Sequence, residues 1–355
     1  MGYFLESGRS YEGARRGLQP SGRRPVRDLE EEKRQARIEA TYATRPRTLA
    51  RALRMRDSGL VREIAGQEDV PGENQSVRFD PERGILGAGD FAITFKTEWT
   101  SESAALKVFL PATRVWEGLS ENLSGRNKGL QAIADDEWEV LKMRARGVVR
   151  GLAIGEVSLT ESTTIPLILR EYHPHTVSST AGDIKAHNER DSIMLQAAEQ
   201  LGLTLDLLRA DHGVLVSDIT PDNVFVDKER NFLIGDVGGA VRINEERPDL
   251  IRGFSFGTPD AMFAPPELYE GIAIPGKEVV TPRAQVYSLA ALLHFMAGGQ
   301  SPDQLDRFLQ KEFSDLERLG LPVAMVTSLR KALSRNPQDR YETPGEFARA
   351  LQAST

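Results

Sequence analysis

The sequence predicts an α+β chain, with strands gathered ahead of most of the helices rather than alternating with them. Three observations predict it. Runs of β-type pattern fill the stretch from about Ser76 to Tyr172. Helical patterns dominate from Ser192 onward, ending in apolar segments such as Gln285 to Ala297. Between them lies a polar hairpin over 212–240, where Asp218, Asn223 and Asp236 stand among apolar neighbours.

The hairpin carries the chemistry. Pro221 forces an irregular loop between Asp218 and Asn223. A β-like run from Asn223 to Asp227 turns at Lys228 to Arg230 and returns through Asn231 to Ile234. That return brings Asp236 back towards Asp218 and Asn223, followed by Gly238 and Gly239, whose torsions are unrestricted. Phosphoryl transfer needs such a set: one carboxylate to accept a proton, and one carboxylate plus one amide oxygen to hold Mg²⁺ against a triphosphate.

Composition bounds the function classes. The 355 residues allow about two domains. At 40% hydrophobic and 27% charged, the chain reads as an ordinary soluble globular protein. A net charge of −7 speaks against a nucleic-acid binder. There is no cysteine, so neither a disulfide nor a thiolate metal site is available. The His173/His175 pair reads as a solvated loop, not a metal cluster. The apolar run Val286 to Ala297 is too short to span a membrane. The N-terminal arginines have no apolar core after them, so no secretory signal is read. The expectation is a cytoplasmic protein without membrane contact, which receives any signal through a soluble partner or through its own N-terminal extension.

That extension comes first in the chain. Residues 1–27 set Arg9, Arg15, Arg16, Arg23, Arg24 and Arg27 against Glu6 and Glu12 among Gly, Ser and Pro. Such a segment buries little and reads as disordered. It is either a solvated tail or a docking segment for an acidic partner or nucleic acid. Asp28 to Ala43 reads as a helix with Asp28 as N-cap and Glu30 to Glu32 in its first turn. Pro46 ends it, Thr48 caps a second helix over Leu49 to Arg56, and residues 65–75 read as a linker.

Ile85 to Thr94 reads as strand, glycine turn and strand, with Gly87 and Gly89 letting backbone amides approach phosphate oxygens. The next strand, Ala104 to Phe109, sets Lys107 alone among apolar residues facing that turn. A polar loop with Trp116 leads to a helix over Ala132 to Arg144, which carries the neighbouring acids Asp136 and Glu137. Val148 to Val157 and Ile165 to Tyr172 supply two more strands, and Ser192 to His212 a long amphipathic helix.

These motifs together resemble the protein kinase superfamily, closest to bacterial eukaryotic-like (Hanks-type) Ser/Thr protein kinases, over about 78–354. Asp218 to Asn223 followed by Asp236-Val237-Gly238 resembles the catalytic and magnesium loops. Gly87, Gly89 and Ala92 resemble the glycine-rich loop, with Ala92 in place of the third glycine; Ala105-Leu106-Lys107 resembles the lysine strand, and Glu171-Tyr172 the base-binding hinge. Gly257-Thr258-Pro259, Ala264-Pro265-Pro266-Glu267 and the late Arg340 resemble the end of an activation segment and its buried ion pair.

The resemblance implies a bilobal kinase-like fold over 76–355: a five-stranded antiparallel small lobe with one main helix to about 172, and a mostly helical large lobe after it. It implies ATP and Mg²⁺ as cofactors and a protein as substrate. Lys107 would hold the α and β phosphates, Glu137 would orient it (with its neighbour Asp136 as the alternative), Asp218 would be the base, and Asn223 and Asp236 would hold the metal. Several residues depart from the pattern. Val216-Ser217-Asp218 replaces the His-Arg-Asp triplet, Gln285 its bracing aspartate, Val237 the phenylalanine after Asp236, and Thr220 a lysine near the γ-phosphate. Arg170 stands where kinases mostly place an apolar residue. Three activities stay open on sequence: an active Ser/Thr kinase; a nucleotide-binding pseudokinase scaffold working through its extension; and transfer to a small molecule or of a nucleotidyl group.

Overall fold

The computed structural model describes residues 78–79, 85–88, 92–109, 123–160, 163–238, 240–242, 263–267, 280–299 and 313–353. The readings made above for residues 1–75, Gly89, the Trp116 loop and Gly257-Thr258-Pro259 lie outside these residues.

A six-stranded antiparallel sheet comes first. It contains β1 (Arg78–Phe79), β2 (Ile85–Ala88), β3 (Ala92–Trp99), β4 (Glu102–Phe109), β5 (Gly151–Thr160) and β6 (Thr163–Glu171). Its order is β1-β3-β4-β6-β5, with β2 also paired to β3. The five expected strands are thus joined by the two-residue β1 at one edge. Side chains alternate across a strand, so register decides which residues share a face. Lys107 lies opposite Thr94 and Ile168, and Ala105 opposite Lys96 and Arg170. One face therefore presents Ala92, Lys107, Phe109, Ile168 and Arg170. The other buries Ile93, Phe95, Leu106, Val108, Leu167 and Leu169 in a separate apolar cluster. Both faces being covered explains why β4 is continuously buried from Ala104 to Phe109 instead of alternating.

Helix α1 (Leu123–Leu141) packs on β6. It begins nine residues ahead of the expected start at Ala132. Leu130, Ala134, Glu137 and Leu141 form its buried stripe, at the three-and-four spacing of one helix face. This periodicity separates the two acids left open on sequence: Glu137 is on the stripe and Asp136 is beside it.

Past the sheet come β7 (His175–Thr176), α2 (Val177–Ala186) and α3 (Arg190–His212). Helix α3 buries Ile193, Met194, Ala197, Leu201, Leu205 and Leu208 against the main core. It stops at Gly213, whose φ of 65° is the left-handed C-cap conformation glycine adopts most cheaply. The chain then enters β8 (Val214–Val216), β9 (Val224–Val226), β10 (Phe232–Ile234) and β11 (Ala240–Arg242). Strands β9 and β10 pair antiparallel as the hairpin predicted from Asn223 to Ile234, and β7 adds on the far side of β9. Helix α4 (Pro282–Met296) is capped by Thr281, which accepts from the Ala284 amide, with Pro282 in the first turn. It is buried along almost all its length, so it carries no polar face. Helices α5 (Val323–Ala332) and α6 (Pro344–Gln352) close the described chain.

His173 departs from the solvated-loop reading. Its side chain is only 15% exposed and packs 5.8 Å from the Phe225 ring, whereas His175 is exposed.

Candidate active site

Lys107 sits between two carboxylates. Its Nζ donates to Glu137 Oε2 at 2.7 Å and to both Asp236 oxygens at 3.1 Å. Strand β4 supplies the lysine, the buried stripe of α1 the glutamate, and the turn after β10 the aspartate. Glu137 is completely buried. Burial pushes its carboxyl above the usual carboxylate range, and Lys107 only partly opposes this. Burial alone would lower Lys107, but Asp236 and Glu137 outweigh it and hold the ammonium above the ordinary lysine value. Burial also works against the Asp236 charge, but Lys107 first and Arg170 next keep its carboxyl below the ordinary aspartate value. Asp236 Oδ1 additionally accepts from the Gly238 amide at 3.1 Å. A Cβ on Gly238 would come within 2.9 Å of Glu137 Oε2, so this glycine lets the Asp236 turn close on the glutamate.

Asp218 and Asn223 form a second cluster. Asn223 Nδ2 donates to Asp218 Oδ2 at 2.6 Å and to the Asp218 carbonyl at 3.2 Å. The loop between them is fixed by amides Asn223 and Val224 donating to the Thr220 carbonyl at 3.0 and 3.2 Å. Gly235 N donates to Asn223 O at 2.8 Å, which ties the strand leading to Asp236 onto the Asn223 end of this loop. Gln285 on α4 donates to the Val216 carbonyl at 3.0 Å and so braces the entry to the loop. Its amide serves where the resemblance led one to expect an aspartate.

Asp236 and the side-chain oxygen of Asn223 are hard oxygen donors. One carboxylate plus one amide suits Mg²⁺, which keeps waters and takes phosphate oxygens for the remaining positions. Among the described residues no group of three or more His, Asp or Glu side chains forms an all-protein metal cage. Asp236 and Asn223 fit a Mg²⁺ that takes its remaining ligands from water and phosphate oxygens.

Gly87 lies in β2 and Ala92 at the start of β3, and these two strands pair antiparallel. Glu171 ends β6; its carboxylate contacts Arg150 Nε at 3.0 Å. Tyr172 follows, its ring 4.7 Å from Lys96 Nζ. Arg170 points into the site and is buried. It donates from Nη1 to the Gly235 carbonyl at 2.5 Å and lies 5.1 Å over the Phe225 ring. Sequence reasoning missed Phe225 and Gly235. Alternation in Val224-Phe225-Val226 was the available signal, since it sets Phe225 on the face opposite the two buried valines. Gly235 is required there: a Cβ would stand 1.9 Å from the Phe225 ring.

Farther off, Glu267 and Arg340 meet as a fork, Nη1 to Oε1 at 2.7 Å and Nη2 to Oε2 at 2.8 Å. Both residues were singled out on sequence, and the structure brings them together.

The chain is similar to kinases. No family model matches it. It is 26% identical over 223 residues to serine/threonine-protein kinase PknH of Mycobacterium bovis, covering 60% of this chain and 33% of that protein. It is 28% identical over 163 residues to serine/threonine-protein kinase PknE of Mycobacterium tuberculosis, covering 44% and 27%. Mouse sperm motility kinase Z matches at 24% over 242 residues, covering 66% and 41%. The chain thus spans about a third of the length of the curated relatives it matches first. Among solved structures, the Mycobacterium tuberculosis PknI kinase domain superposes with a TM-score of 0.52 at 20% identity, covering 81% of this chain and 98% of that domain. Among the described residues no helix is long and apolar enough to cross a membrane.

Proposed function

We propose, for a chain that belongs to the protein kinase superfamily beside the bacterial Hanks-type Ser/Thr kinases, that it transfers the γ-phosphate of ATP to Ser or Thr hydroxyls of a protein. The observation that carries this reading is the lysine held between Glu137 and Asp236, with the bonded pair Asp218 and Asn223 linked to the same hairpin.

The roles follow from the geometry and the resemblance. Lys107 is a fixed cation for the α and β phosphates, and Glu137 positions it. By the resemblance, backbone amides at Gly87, Gly89 and Ala92 would approach the phosphate oxygens, and the backbone of Glu171 and Tyr172 would receive the base. Asp218 accepts the hydroxyl proton as that oxygen bonds to the γ-phosphorus. The bond from the γ-phosphorus to the β–γ bridging oxygen breaks, and ADP leaves. Asp236 and Asn223 would hold Mg²⁺, which when bound neutralises charge on the β and γ phosphates. Little covalent work falls to the protein; positioning and charge do most of it. The absence of an arginine before Asp218 removes a common acceptor for a phosphorylated activation segment, so activity does not wait on that modification.

A second reading, a nucleotide-binding scaffold without transfer, is favoured by Thr220. It stands where the resembling kinases carry a lysine, and its buried hydroxyl has no hydrogen-bond partner among the described residues. Intact-mass analysis of a protein acceptor after incubation with chain, Mg²⁺ and ATP separates the readings. A phosphate mass on Ser or Thr supports transfer. An AMP mass or an unchanged acceptor sinks it.

A further inference from the structure

Arg170 is the charged group in the site that the proposed reaction does not use. It stands on β6, on the sheet face of Lys107, and its direct cross-strand partners are Ala105 of β4 and Gly151 of β5. Small residues on both neighbouring strands leave room for a long side chain there. The side chain reaches across to the hairpin, lies 5.1 Å over the Phe225 ring and donates from Nη1 to the Gly235 carbonyl at 2.5 Å. That carbonyl belongs to the peptide that leads into Asp236.

The segment around Asp236 needs such an anchor. Gly235, Gly238 and Gly239 flank Asp236 and Val237, and glycine loses more freedom on ordering than any other residue. The Gly235 amide is held by the Asn223 carbonyl at 2.8 Å. With Arg170 on the carbonyl, both backbone polar groups of Gly235 are tied, and the peptide plane entering Asp236 is set. From there Asp236 meets the Lys107 ammonium with both oxygens at 3.1 Å. The close approach depends on glycine at 235, because an added Cβ would stand 1.9 Å from the Phe225 ring and 3.1 Å from Arg170 Nη1.

Stability does not account for this arginine. It is 7% exposed, its Nε has no hydrogen-bond partner, and it forms no ion pair among the described residues. A buried charge without a carboxylate carries a desolvation cost that an apolar side chain of like size avoids. We propose that Arg170 is a positioning residue for the metal site: its bond to Gly235 sets Asp236 where Mg²⁺ is held between protein and nucleotide phosphates. The proposal rests on the reading of Asp236 and Asn223 as metal ligands beside a nucleotide. A hydrogen bond from a charged donor shifts an equilibrium by about tenfold to a hundredfold. Charge alone acts with the opposite sign, since a guanidinium repels a dication, and its removal would tighten Mg²⁺.

The test is equilibrium binding of fluorescent N-methylanthraniloyl ATP to the full chain, with Mg²⁺ and in EDTA, for wild type, Arg170→Met and Arg170→Lys. The readout is the gain in affinity that Mg²⁺ brings. Methionine keeps an unbranched stem and removes every donor; lysine can still donate to one carbonyl. The expected result is that Arg170→Met loses about tenfold or more of the wild-type gain, and that Arg170→Lys falls between the two. In the metal-free chain, hydrogen exchange of amides 235–238 should be about tenfold faster in Arg170→Met, with β9 unchanged. A gain equal to or above that of wild type, no gain in wild type, or unchanged exchange would overturn the proposal. If Arg170→Met does not fold, Arg170→Lys decides, and a gain no smaller than that of wild type overturns it. Should wild type bind nucleotide with Mg²⁺ but transfer no phosphate, the transfer reading falls and the ratios still decide the positioning. Should it transfer phosphate while Arg170→Met keeps its Mg²⁺ gain, the positioning falls and the kinase reading stands. If wild type binds no nucleotide, both fall.

Discussion

Replacing Arg340 with methionine should unfold the large lobe far more readily than most single changes. The guanidinium is buried. Besides the fork to Glu267, its Nε donates to Ser334 O at 2.7 Å, Nη1 to Arg283 O at 3.1 Å and Nη2 to Arg335 O at 3.0 Å. It also lies 4.9 Å from the centre of the Tyr287 ring, within cation–π range. Methionine fills much of the volume but leaves one partly buried carboxylate and three carbonyls without their donor. Breaking one partner of a buried pair costs about 3 to 5 kcal/mol. For a domain of this size that corresponds to a melting temperature lower by about 6 to 20 °C. Urea unfolding followed by circular dichroism measures it. Arg340→Lys should recover only part, because a single ammonium cannot serve both carboxylate oxygens and the three carbonyls. Glu267→Gln should cost less than Arg340→Met, since it leaves the carbonyl contacts in place. An Arg340→Met midpoint within about 1 kcal/mol of wild type would refute the claim that this pair ties the residue-267 segment to the lobe.

Three more outcomes follow from the same geometry. In Lys107→Met, Glu137 loses the cation that opposes its burial, so its raised carboxyl rises further above 4.5. The folded variant then holds a proton that the unfolded chain releases, so its stability relative to wild type should fall as pH rises from about 5 to 8; a melting-temperature difference independent of pH contradicts this. Gly235→Ala should destabilise by about 1 to 3 kcal/mol, because its Cβ meets the Phe225 ring; a neutral result in denaturant titration would mean that Phe225 moves freely. Gly213→Ala should cost about 1 kcal/mol through φ alone, since nothing lies within 4 Å of the added Cβ, and Gly213→Asn should cost less. Equal stability of all three residues at 213 would rule out the left-handed cap.

Much of this was legible in the sequence because local rules and tertiary need agree. Val224 to Ile234 reads as a hairpin and forms one. Ala104 to Phe109 reads as a strand with one lysine, and the register sets that lysine over the site. The spacing to Val140 and Leu141 favours Glu137 over Asp136, and the buried stripe of α1 puts Glu137 on the inward face. The start of that helix was misplaced because its first turns, from Leu123 to Gln131, carry little apolar periodicity. The Lys107–Asp236 contact, the Arg170–Phe225–Gly235 cluster and the largely buried His173 were not legible. The first two depend on how far the turn after β10 closes on β6, and the third on Phe225 of β9 reaching His173, all distances between elements far apart in sequence.

The central claim is that Asp218 serves a phosphoryl transfer. The most direct measurement incubates the purified full chain with Mg²⁺, a γ-labelled nucleotide and a generic protein acceptor, beside Asp218→Asn. Asparagine keeps the shape and the contact with Asn223 and removes the base. Label on acceptor Ser or Thr with wild type, reduced by at least about a hundredfold in the variant, is the expected outcome. Equal labelling by the two proteins, or none by wild type while nucleotide still raises its melting temperature, would contradict the account and leave a nucleotide-binding scaffold.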